Sequence, residues 1–391
     1  MGNRKLVETM PIAPLKIIAL ESYKELSEKV DHCIVEARHA MLESHDKLPA
    51  FLGYDKKTYL VDYSIPRFGT GEAKAVIHET LRGCDLFILA DVMNHSLRYT
   101  MFDQETRKSP DDLFQDLKRL IAAAKISKVK RINVIIPFLY EGRQHRRDKL
   151  ESLDCAYALQ ELSYMGVENI ITFDAHDPRV QNAIPIRGFD NFYTSLQFIR
   201  ELSFTEEDLI FDKDHFMVIS PDEGGMSRAV YYANVLGVEM GMFYKRRDYT
   251  TIVDGRNPII AHEFLGSNVE GKDVFIVDDI ISSGESMLDV ARELKKRKAR
   301  RVFIAATFGL FCNGIDKFDE AYKAQYIDRI YTTNLVYTPE EIFSRPYYHN
   351  VDLSRYMSLI IDTLNHDTSV NDIINPYDLI QELLANKAKS S

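Results

Sequence analysis

The segment from Val274 to Met287 constrains the fold more than any other part of the sequence. It begins with four apolar residues, continues through two aspartates into a serine-rich loop, and ends where apolar residues start to recur at helical spacing. Consecutive apolar residues are typical of a parallel strand that is covered on both faces. The apolar positions from Met287 to Leu294 predict an amphipathic helix directly after the loop. The segment therefore predicts a strand–loop–helix unit of an α/β sheet.

The same segment has the composition of a sugar phosphate site. Asp278 and Asp279 come at the carboxyl end of the predicted strand, where open α/β sheets bind ligands, and their carboxylates can accept hydrogen bonds from ribose hydroxyls. The loop 282–286 precedes the helix, so its backbone N–H groups can bind a phosphate. A strand that simply ends in two solvated aspartates stays open as an alternative. A P-loop is excluded, because the Gly266–Lys272 motif precedes its strand and lacks the following Ser or Thr.

Short apolar runs alternate with segments of helical period along the chain. The runs lie at 86–90, 132–136, 169–173, 216–219, 274–277 and 302–306. This alternation predicts βαβ units around mainly parallel sheets, and therefore an α/β fold. A chain of 391 residues is long enough for two domains, each with its own core.

Composition argues against nucleic-acid binding, a membrane span, and a zinc or disulfide framework. The chain has 49 basic and 59 acidic residues, and a net charge of −10 has the wrong sign for a protein that binds nucleic acid through its phosphates. The longest apolar run, 302–312, is well short of the roughly 20 residues that a membrane span needs. The four cysteines show no zinc or disulfide spacing. We expect a cytoplasmic protein that binds neither nucleic acid nor a membrane.

Two other segments indicate a bound polyanion and a metal. The segment 143–149 carries five cationic or imidazole side chains in seven residues, a density that suits a polyanion. The segment 173–177 places carboxylates and an imidazole at a strand end, which suits magnesium held partly through water together with a nucleotide phosphate. Each segment alone is also compatible with a surface loop, and His176 alone with a hydrogen-bonded structural residue.

Taken in order, these segments resemble the ribose-phosphate pyrophosphokinase family, also called phosphoribosyl pyrophosphate synthetases. The resemblance runs from about Leu15 to Asn375. Its landmarks, in chain order, lie at 68–72, 81–83, 143–149, 173–176, 190–193, 220–225, 244–247 and 274–287. So many landmarks in one order are hard to obtain by chance. The resemblance implies two α/β domains of phosphoribosyltransferase type, each a mainly parallel sheet flanked by helices.

The resemblance also implies an organisation for the chain. An ATP-side domain is expected over 15–190, a domain that binds ribose 5-phosphate over 191–365, and a C-terminal helix and tail over 366–391. ATP and ribose 5-phosphate are expected to meet between the two domains. A homo-oligomer built from dimers, with a hexamer as one option, is implied as well, although an insertion at 41–63 lies near a surface that the family uses for assembly.

The family transfers the β,γ-pyrophosphoryl group of ATP to the anomeric hydroxyl of ribose 5-phosphate and releases AMP. The resemblance assigns ATP binding to Phe68, Thr70, Glu72, Arg143, Gln144, Arg146 and His176. It assigns ribose 5-phosphate binding to Asp222, Asp278, Asp279, Ser282, Ser283, Gly284 and Ser286. It assigns the cofactor Mg²⁺ to Asp174, His176 and Asp190. It assigns catalysis to Lys245, Arg247 and His176. Phe68 and Glu72 would hold adenine across a subunit boundary, and Lys245 and Arg247 would lie on a mobile loop.

The sequence departs from the family pattern in two of its segments, and two alternatives to the synthetase stay open. The loop usually reads Asp-Thr-x-Gly-Thr, whereas residues 282–286 read Ser-Ser-Gly-Glu-Ser. At about 6 Å and an effective dielectric of about 20, Glu285 would repel each phosphate charge by roughly 3 kcal/mol, so we expect its side chain to point outward. Segment 150–155 replaces a stretch linked to phosphate activation, so we expect little activation by free phosphate. The alternatives are a nucleobase phosphoribosyltransferase and a non-catalytic regulatory homologue of the synthetase.

Overall fold

The computed structural model of the protein describes residues 9–44, 53–247 and 259–390. These residues form two α/β units. The first unit contains the described residues up to Tyr193, together with 334–337 and 352–375. The second unit contains the described residues of 194–333, 338–351 and 376–390. Part of the predicted insertion at 41–63, residues 45–52, lies outside the described residues.

The strands are numbered in chain order. They are β1 Leu15–Ala19, β2 Tyr63–Ser64, β3 Val76–Ile77, β4 Asp85–Leu89, β5 Arg98–Met101, β6 Gln104–Arg107, β7 Arg131–Ile135, β8 Asn169–Phe173, β9 Gly188–Phe192, β10 Phe216–Ser220, β11 Glu239–Arg247, β12 Ile259–Leu265, β13 Asp273–Ile281, β14 Arg301–Gly309, β15 Arg329–Thr333 and β16 Tyr348–Val351.

The helices follow the same convention. They are α1 Lys24–Ser44, α2 Pro110–Ile126, α3 Asp154–Tyr164, α4 Ser195–Thr205, α5 Met226–Leu236, α6 Glu285–Lys296, α7 Asp316–Lys323, α8 Ser354–Asn365, α9 Asn371–Ile374 and α10 Tyr377–Ser390. Short 3₁₀ helices occupy Glu21–Tyr23, Pro178–Ala183 and Glu340–Ser344.

The first unit is built on a five-stranded sheet in the order β1-β4-β7-β8-β9, and every neighbouring pair in it is parallel. All residues of β4 and β7 are buried, as expected for strands that are covered on both faces. Local signals start helix α2: Ser109 and Asp112 form a reciprocal capping box, and Pro110 occupies the first turn. Two small antiparallel hairpins, β2–β3 and β5–β6, were not predicted from the sequence.

The second unit is built on a seven-stranded sheet in the order β12-β11-β10-β13-β14-β15-β16. Only the edge strand β12 runs antiparallel to its neighbour, so the sheet is mixed. Strand β13 is central, between β10 and β14, and its first five residues are buried. Because its parallel neighbours end on the same side, the loops that follow β10 and β13 meet at one edge of the sheet. The predicted α/β fold class with mainly parallel sheets is confirmed.

Helix α8 packs in the first unit, although the predicted domain boundaries place residues 352–365 in the second domain. A buried polar network explains this arrangement. Arg38 Nη2 donates to Asp362 Oδ1 at 2.6 Å and to Asn365 Oδ1 at 2.8 Å. Asn365 Nδ2 donates in turn to Asp85 Oδ2 at 2.9 Å. A buried guanidinium needs its partners because an unpaired buried charge is costly, and the partners of Arg38 lie more than 300 residues away in sequence.

The buried Asp91 should make the stability of the protein depend on pH. Its carboxylate is 1% exposed and accepts hydrogen bonds from the backbone N–H groups of Met93 at 2.8 Å and Tyr337 at 2.6 Å. Burial raises the pKa of Asp91 to about 7, although the two N–H donors oppose the shift. Since the folded pKa lies above the unfolded one, the contribution of Asp91 to stability is complete below about pH 4 and is lost as the pH rises through about 7.

We expect the unfolding free energy of the wild type to fall by about 2–3 kcal/mol more than that of Asp91→Asn between pH 5 and pH 8. Urea unfolding of both proteins at the two pH values measures the difference. If the variant loses the hydrogen bond from the Tyr337 N–H, its unfolding free energy falls by the same amount at both pH values. This loss therefore cancels in the difference between pH 5 and pH 8. Parallel pH profiles for the two proteins would show that Asp91 is already ionised at pH 5.

Candidate active site

Two of the predicted ribose acids, Asp278 and Asp279, lie in the last part of strand β13, which continues to Ile281 instead of ending at Val277. Asp279 is buried and Asp278 is half-buried. The backbone N–H of Asp279 donates to Asp278 Oδ1 at 2.9 Å, which orients the Asp278 carboxylate. A buried carboxylate next to a half-buried one is costly unless cations or donors face the pair, and such a pair is typical of a binding site.

A guanidinium that the sequence analysis missed faces these acids. Arg228, in the first turn of α5, places Nη1 at 3.3 Å from Asp278 Oδ1 and at 3.9 Å from Asp279 Oδ1. Burial, and then the negative charge of Asp279, raise the pKa of Asp278 well above its usual range, and Arg228 opposes the shift. The only signal for Arg228 in the sequence is its position in the helix that follows the 220–225 motif.

Asp222 belongs to the same group, because its charge also raises the pKa of Asp278. It follows strand β10, the parallel neighbour of β13. Its Oδ1 accepts hydrogen bonds from the backbone N–H groups of Gly224 at 2.9 Å and Gly225 at 3.3 Å. The structure therefore brings the three predicted ribose acids together at one edge of the second sheet.

The predicted phosphate loop turns sharply into helix α6. Gly284 is the N-cap residue and has a φ of +78°, which favours glycine. A Cβ atom at this position would lie 2.1 Å from the ring of Phe318. Ser283 and Ser282 come just before this turn, and the Ser282 hydroxyl lies 3.6 Å from the sulfur of Cys312. The turn leaves the first N–H groups of α6 without intrahelical acceptors, as at every helix start, and such groups can bind a phosphate.

Ser286 and Glu285 both have exposed side chains at the start of α6. Ser286 is exposed in the first turn of α6, where a phosphate on the helix N-terminus would be reached. Glu285 is exposed, and its carboxylate pairs with the ammonium of Lys317 on α7. This pairing agrees with the predicted outward orientation of Glu285.

Removing Arg228 tests the electrostatics of the acids. We expect Arg228→Gln to lower the unfolding free energy by about 2 kcal/mol near pH 8, because the acids lose their cation. The loss should shrink toward pH 5, since protonation of Asp278, whose pKa is already raised, relieves the repulsion. Arg292→Gln is the matched control: its pair with Asp289, at 2.9 Å, is exposed and should contribute less than about 1 kcal/mol. Equal losses in the two variants at both pH values would contradict this role for Arg228.

The predicted metal residues lie in the first unit, at the carboxyl end of β8 and on β9. Asp174 is buried, with a φ of +42°, and its N–H donates to the carbonyl of Phe192 at 2.7 Å. His176 is exposed, and Asp190 is half-buried on β9, where burial raises its pKa. Within residues 9–44, 53–247 and 259–390 no three His, Cys, Asp or Glu side chains are arranged as a metal site. This donor set fits a hard cation that keeps several waters and binds mainly through substrate phosphates.

His145 joins the basic segment to the loop after β8. Its ring centre is 5.3 Å from that of His176, and its Nε2 is 3.6 Å from Asp177 Oδ2. The guanidinium of Arg179 holds the pKa of Asp177 down to about 2, with a smaller contribution from His145. Asp177 is therefore a fixed negative charge beside the predicted metal residue His176.

The predicted nucleotide residues follow strand β7. Arg143 and Arg146 are exposed, and Arg146 lies 3.6 Å from the carboxylate of Asp148. Gln144 is half-buried, and its Oε1 is a buried acceptor without a hydrogen-bond partner among the described residues. A buried polar atom of this kind is costly unless a ligand or water satisfies it.

The segment Phe68 to Glu72 forms a tight turn between the paired residues Arg67 and Ala73. The N–H of Phe68 donates to the carbonyl of Glu72 at 2.8 Å, and the Thr70 hydroxyl donates to Glu72 Oε2 at 2.9 Å. The side chain of Phe68 is 54% exposed. The predicted ATP-binding residues Phe68, Thr70 and Glu72 thus share one exposed turn of the first unit.

Lys245 and Arg247 occupy backbone positions near the end of β11, which pairs with β12. Their side chains and residues 248–258, which include the rest of the predicted mobile loop, lie outside the described part of the chain. The catalytic roles of Lys245 and Arg247 therefore remain predictions.

Comparisons with known proteins agree with this geometry. Residues 15–166 match the N-terminal domain of ribose phosphate pyrophosphokinase, and residues 189–341 match the phosphoribosyl transferase domain. A ribose-phosphate pyrophosphokinase of Vibrio parahaemolyticus is 28% identical over 320 residues, which cover 81% of this chain and 92% of that protein. One of Chlorobaculum tepidum is 28% identical over 295 residues, covering 75% of this chain and 76% of that protein.

The fold is also found in a solved structure. Phosphoribosylpyrophosphate synthetase from Mycobacterium smegmatis superposes with a TM-score of 0.69 at 20% identity, over 90% of this chain and 99% of that one. The two domain matches in their order and the nearly full-length relatives confirm the predicted family and the predicted phosphoribosyltransferase-type fold. The chain belongs to the ribose-phosphate pyrophosphokinase family, a family of transferases.

Proposed function

We propose that the protein transfers the β,γ-pyrophosphoryl group of magnesium ATP to the 1-hydroxyl of ribose 5-phosphate, giving phosphoribosyl pyrophosphate and AMP. One observation carries the proposal. Strand β13 carries Asp278 and Asp279 near its end, shortly before a left-handed Gly284 that starts helix α6, and the charge of Asp222 also acts on Asp278. Carboxylates for two sugar hydroxyls and helix N–H groups for a phosphate are what a pentose 5-phosphate requires.

In the proposed reaction the 1-hydroxyl oxygen of the sugar bonds to the β-phosphorus of ATP. The bond from that phosphorus to the oxygen bridging to the α-phosphorus breaks, AMP leaves with that oxygen, and the hydroxyl proton is released. Asp222, Asp278 and Asp279 orient the sugar, so the attacking oxygen stays near the nucleotide. Lys245 and Arg247 stabilise the charge that moves from the attacking to the leaving oxygen.

The nucleotide is proposed to bind through the first unit. Arg143, Gln144 and Arg146 face its ribose and phosphates, and Phe68, Thr70 and Glu72 face its base. Asp174, His176 and Asp190 would hold Mg²⁺, partly through water. When bound, this ion screens the phosphate charges and orients the triphosphate.

Assembly and location are proposed on the same basis. The proposed state is a homo-oligomer built from dimers, because the adenine residues are expected to serve a neighbouring subunit. Among the described residues, no helix combines the length and apolar content needed to cross a membrane. The cytoplasmic location and the lack of nucleic-acid binding remain predictions.

Incubation of the protein with magnesium ATP and ribose 5-phosphate, while AMP and phosphoribosyl pyrophosphate are followed, tests the proposal. We expect the two products in equal amounts, and no AMP when ribose 5-phosphate is left out. Asp279→Asn is the site control and should be strongly impaired. Absence of AMP with retained ligand binding would favour the non-catalytic homologue. Turnover that needs a nucleobase and preformed phosphoribosyl pyrophosphate would favour the nucleobase phosphoribosyltransferase.

A further inference from the structure

The β5–β6 hairpin is built onto the turn that carries the predicted adenine residues. The N–H of Phe102, at the hairpin tip, donates to the carbonyl of Gly69 at 2.8 Å. A Cβ atom on Gly71 would lie 2.7 Å from the sulfur of Met101, so the Met101 side chain packs directly against the backbone of the turn. At the base of the turn, the guanidinium of Arg67 lies 4.2 Å from the ring centre of Tyr99 on β5. The hairpin and the turn therefore form one surface.

Phe102 is an unusual residue for the tip of this hairpin. Its φ is +48° and that of Asp103 is +58°, the pattern of a two-residue turn in which Asn-Gly or Asp-Gly is favoured. A left-handed conformation is strained for a bulky residue such as phenylalanine. The side chain is nevertheless 72% exposed, so packing within the described residues does not offset the strain. Strain that local packing does not explain is a reason to look for a ligand.

The chemistry next to Phe102 narrows the choice of ligand. Phe68 is 54% exposed. It lies in the turn whose Gly69 carbonyl accepts the hydrogen bond from the N–H of Phe102, so the two phenylalanines are on neighbouring segments. The carboxylate of Glu72, oriented by the Thr70 hydroxyl, lies in the same turn. Flat aromatic faces beside an acceptor suit a ligand with a flat ring and an amino group at its edge. An aminopurine has both features.

We propose that Phe102 is a further adenine-binding residue, so that the hairpin 98–107 completes the base site begun by Phe68 and Glu72. This inference rests on the proposed function, because it assigns the base of the proposed nucleotide substrate. The ring of Phe102 contacts a face of the purine, while Glu72 accepts a hydrogen bond from its amino group. Because the turn of Phe68 is expected to serve a neighbouring subunit, the hairpin belongs to the same subunit edge.

The test is Phe102→Gly, which removes the ring and suits the positive φ, so the turn is not weakened. We expect the KM for magnesium ATP to rise about tenfold, as the loss of one base-stacking aromatic implies, with kcat and the KM for ribose 5-phosphate within about twofold of wild type. The melting temperature should be unchanged or higher. Phe102→Tyr keeps an aromatic face and should restore the wild-type KM for ATP.

Two control experiments separate the contribution of the adenine base from that of the sugar and phosphates. Ribose 5-triphosphate has the sugar and phosphates of ATP without adenine, so its inhibition constant should be the same for wild type and Phe102→Gly. Phe204→Ala removes another exposed phenylalanine, 78% exposed on α4 in the second unit, and should leave the KM for ATP unchanged.

Several results would overturn the inference. An unchanged KM for ATP in Phe102→Gly, or an equal loss of affinity for ribose 5-triphosphate, would remove Phe102 from the base site. A smaller oligomer in sedimentation experiments would assign the ring to a contact with a second copy of the chain instead. If the wild type makes no AMP, the proposed function fails separately, and calorimetric affinities of wild type and Phe102→Gly for ATP still decide whether Phe102 binds the base.

Discussion

Replacing Lys245 with alanine should lower the turnover of phosphoribosyl pyrophosphate synthesis by about 100-fold or more while leaving the affinity for ribose 5-phosphate within about threefold. Phosphoryl transfer requires little covalent chemistry from a protein, so cations placed where charge shifts between oxygens supply most of the acceleration. Removal of one such donor typically costs about 3–4 kcal/mol of barrier. The sugar, in contrast, is proposed to bind through Asp222 after β10, through the two acids near the end of β13, and through the N–H groups that start α6.

Initial rates of AMP formation and calorimetric titration with ribose 5-phosphate measure the two quantities. Arg246→Ala is the matched control, since it removes one positive charge at the adjacent position of β11, to which no role is assigned. We expect its turnover to stay within about threefold of wild type, because a cation away from the reacting oxygens contributes little. Equal turnover in Lys245→Ala and wild type would remove Lys245 from the mechanism. Equal losses in both variants would indicate a general effect of charge.

Replacing Gly284 with alanine should disrupt the sugar phosphate loop. Alanine at a φ of +78° is strained by about 1–2 kcal/mol. Its Cβ would also lie 2.1 Å from the buried ring of Phe318, and displacing a packed ring costs about 1–3 kcal/mol more. We therefore expect the variant to be destabilised by roughly 2–5 kcal/mol, and to bind ribose 5-phosphate at least about tenfold more weakly if it folds.

Two variants separate the backbone strain of alanine at positive φ from the steric clash with Phe318. Gly237 has a similar φ of +69°, and a Cβ there would meet no atom within 4 Å, so Gly237→Ala should show the strain alone. Adding Phe318→Leu to Gly284→Ala makes room for the new methyl group. The cost of Gly284→Ala should then fall by at least about 1 kcal/mol, measured by urea unfolding against Phe318→Leu alone. An unchanged cost would mean that Phe318 does not constrain the loop.

Sequence patterns predicted the elements that depend on neighbours along the chain. The apolar runs at 132–136 and 302–306 fall on β7 and β14, because a strand that is covered on both faces must be apolar throughout. The helix after the serine-rich loop begins at Glu285, within two residues of its predicted apolar stripe. The hairpin β5–β6 was missed, since its tip carries Phe102-Asp103 in place of the Asn-Gly or Asp-Gly that usually marks such a turn.

In the candidate active site, too, the residues that are close together in sequence were predicted and a residue distant in sequence was missed. Asp278, Asp279 and the loop before α6 are adjacent in sequence, and the order of the landmarks was sufficient to predict the family. Arg228 lies 50 residues before Asp278, and nothing in its local sequence distinguishes it from a solvated arginine. Its role depends on the parallel pairing of β10 with β13, which brings the start of α5 to the two acids.

The sequence by itself determined the strands and helices, the family and the chemistry of the sugar phosphate segment, because each depends on residues that are close together in the chain. Only the tertiary structure decided that α8 packs in the first unit through Arg38 and Asp362, that Arg228 faces the ribose acids, and that Phe102 lies beside the turn of Phe68. The physical reason is that these contacts join residues far apart in sequence, and the cost of burying or straining a side chain depends on the partner that folding brings to it.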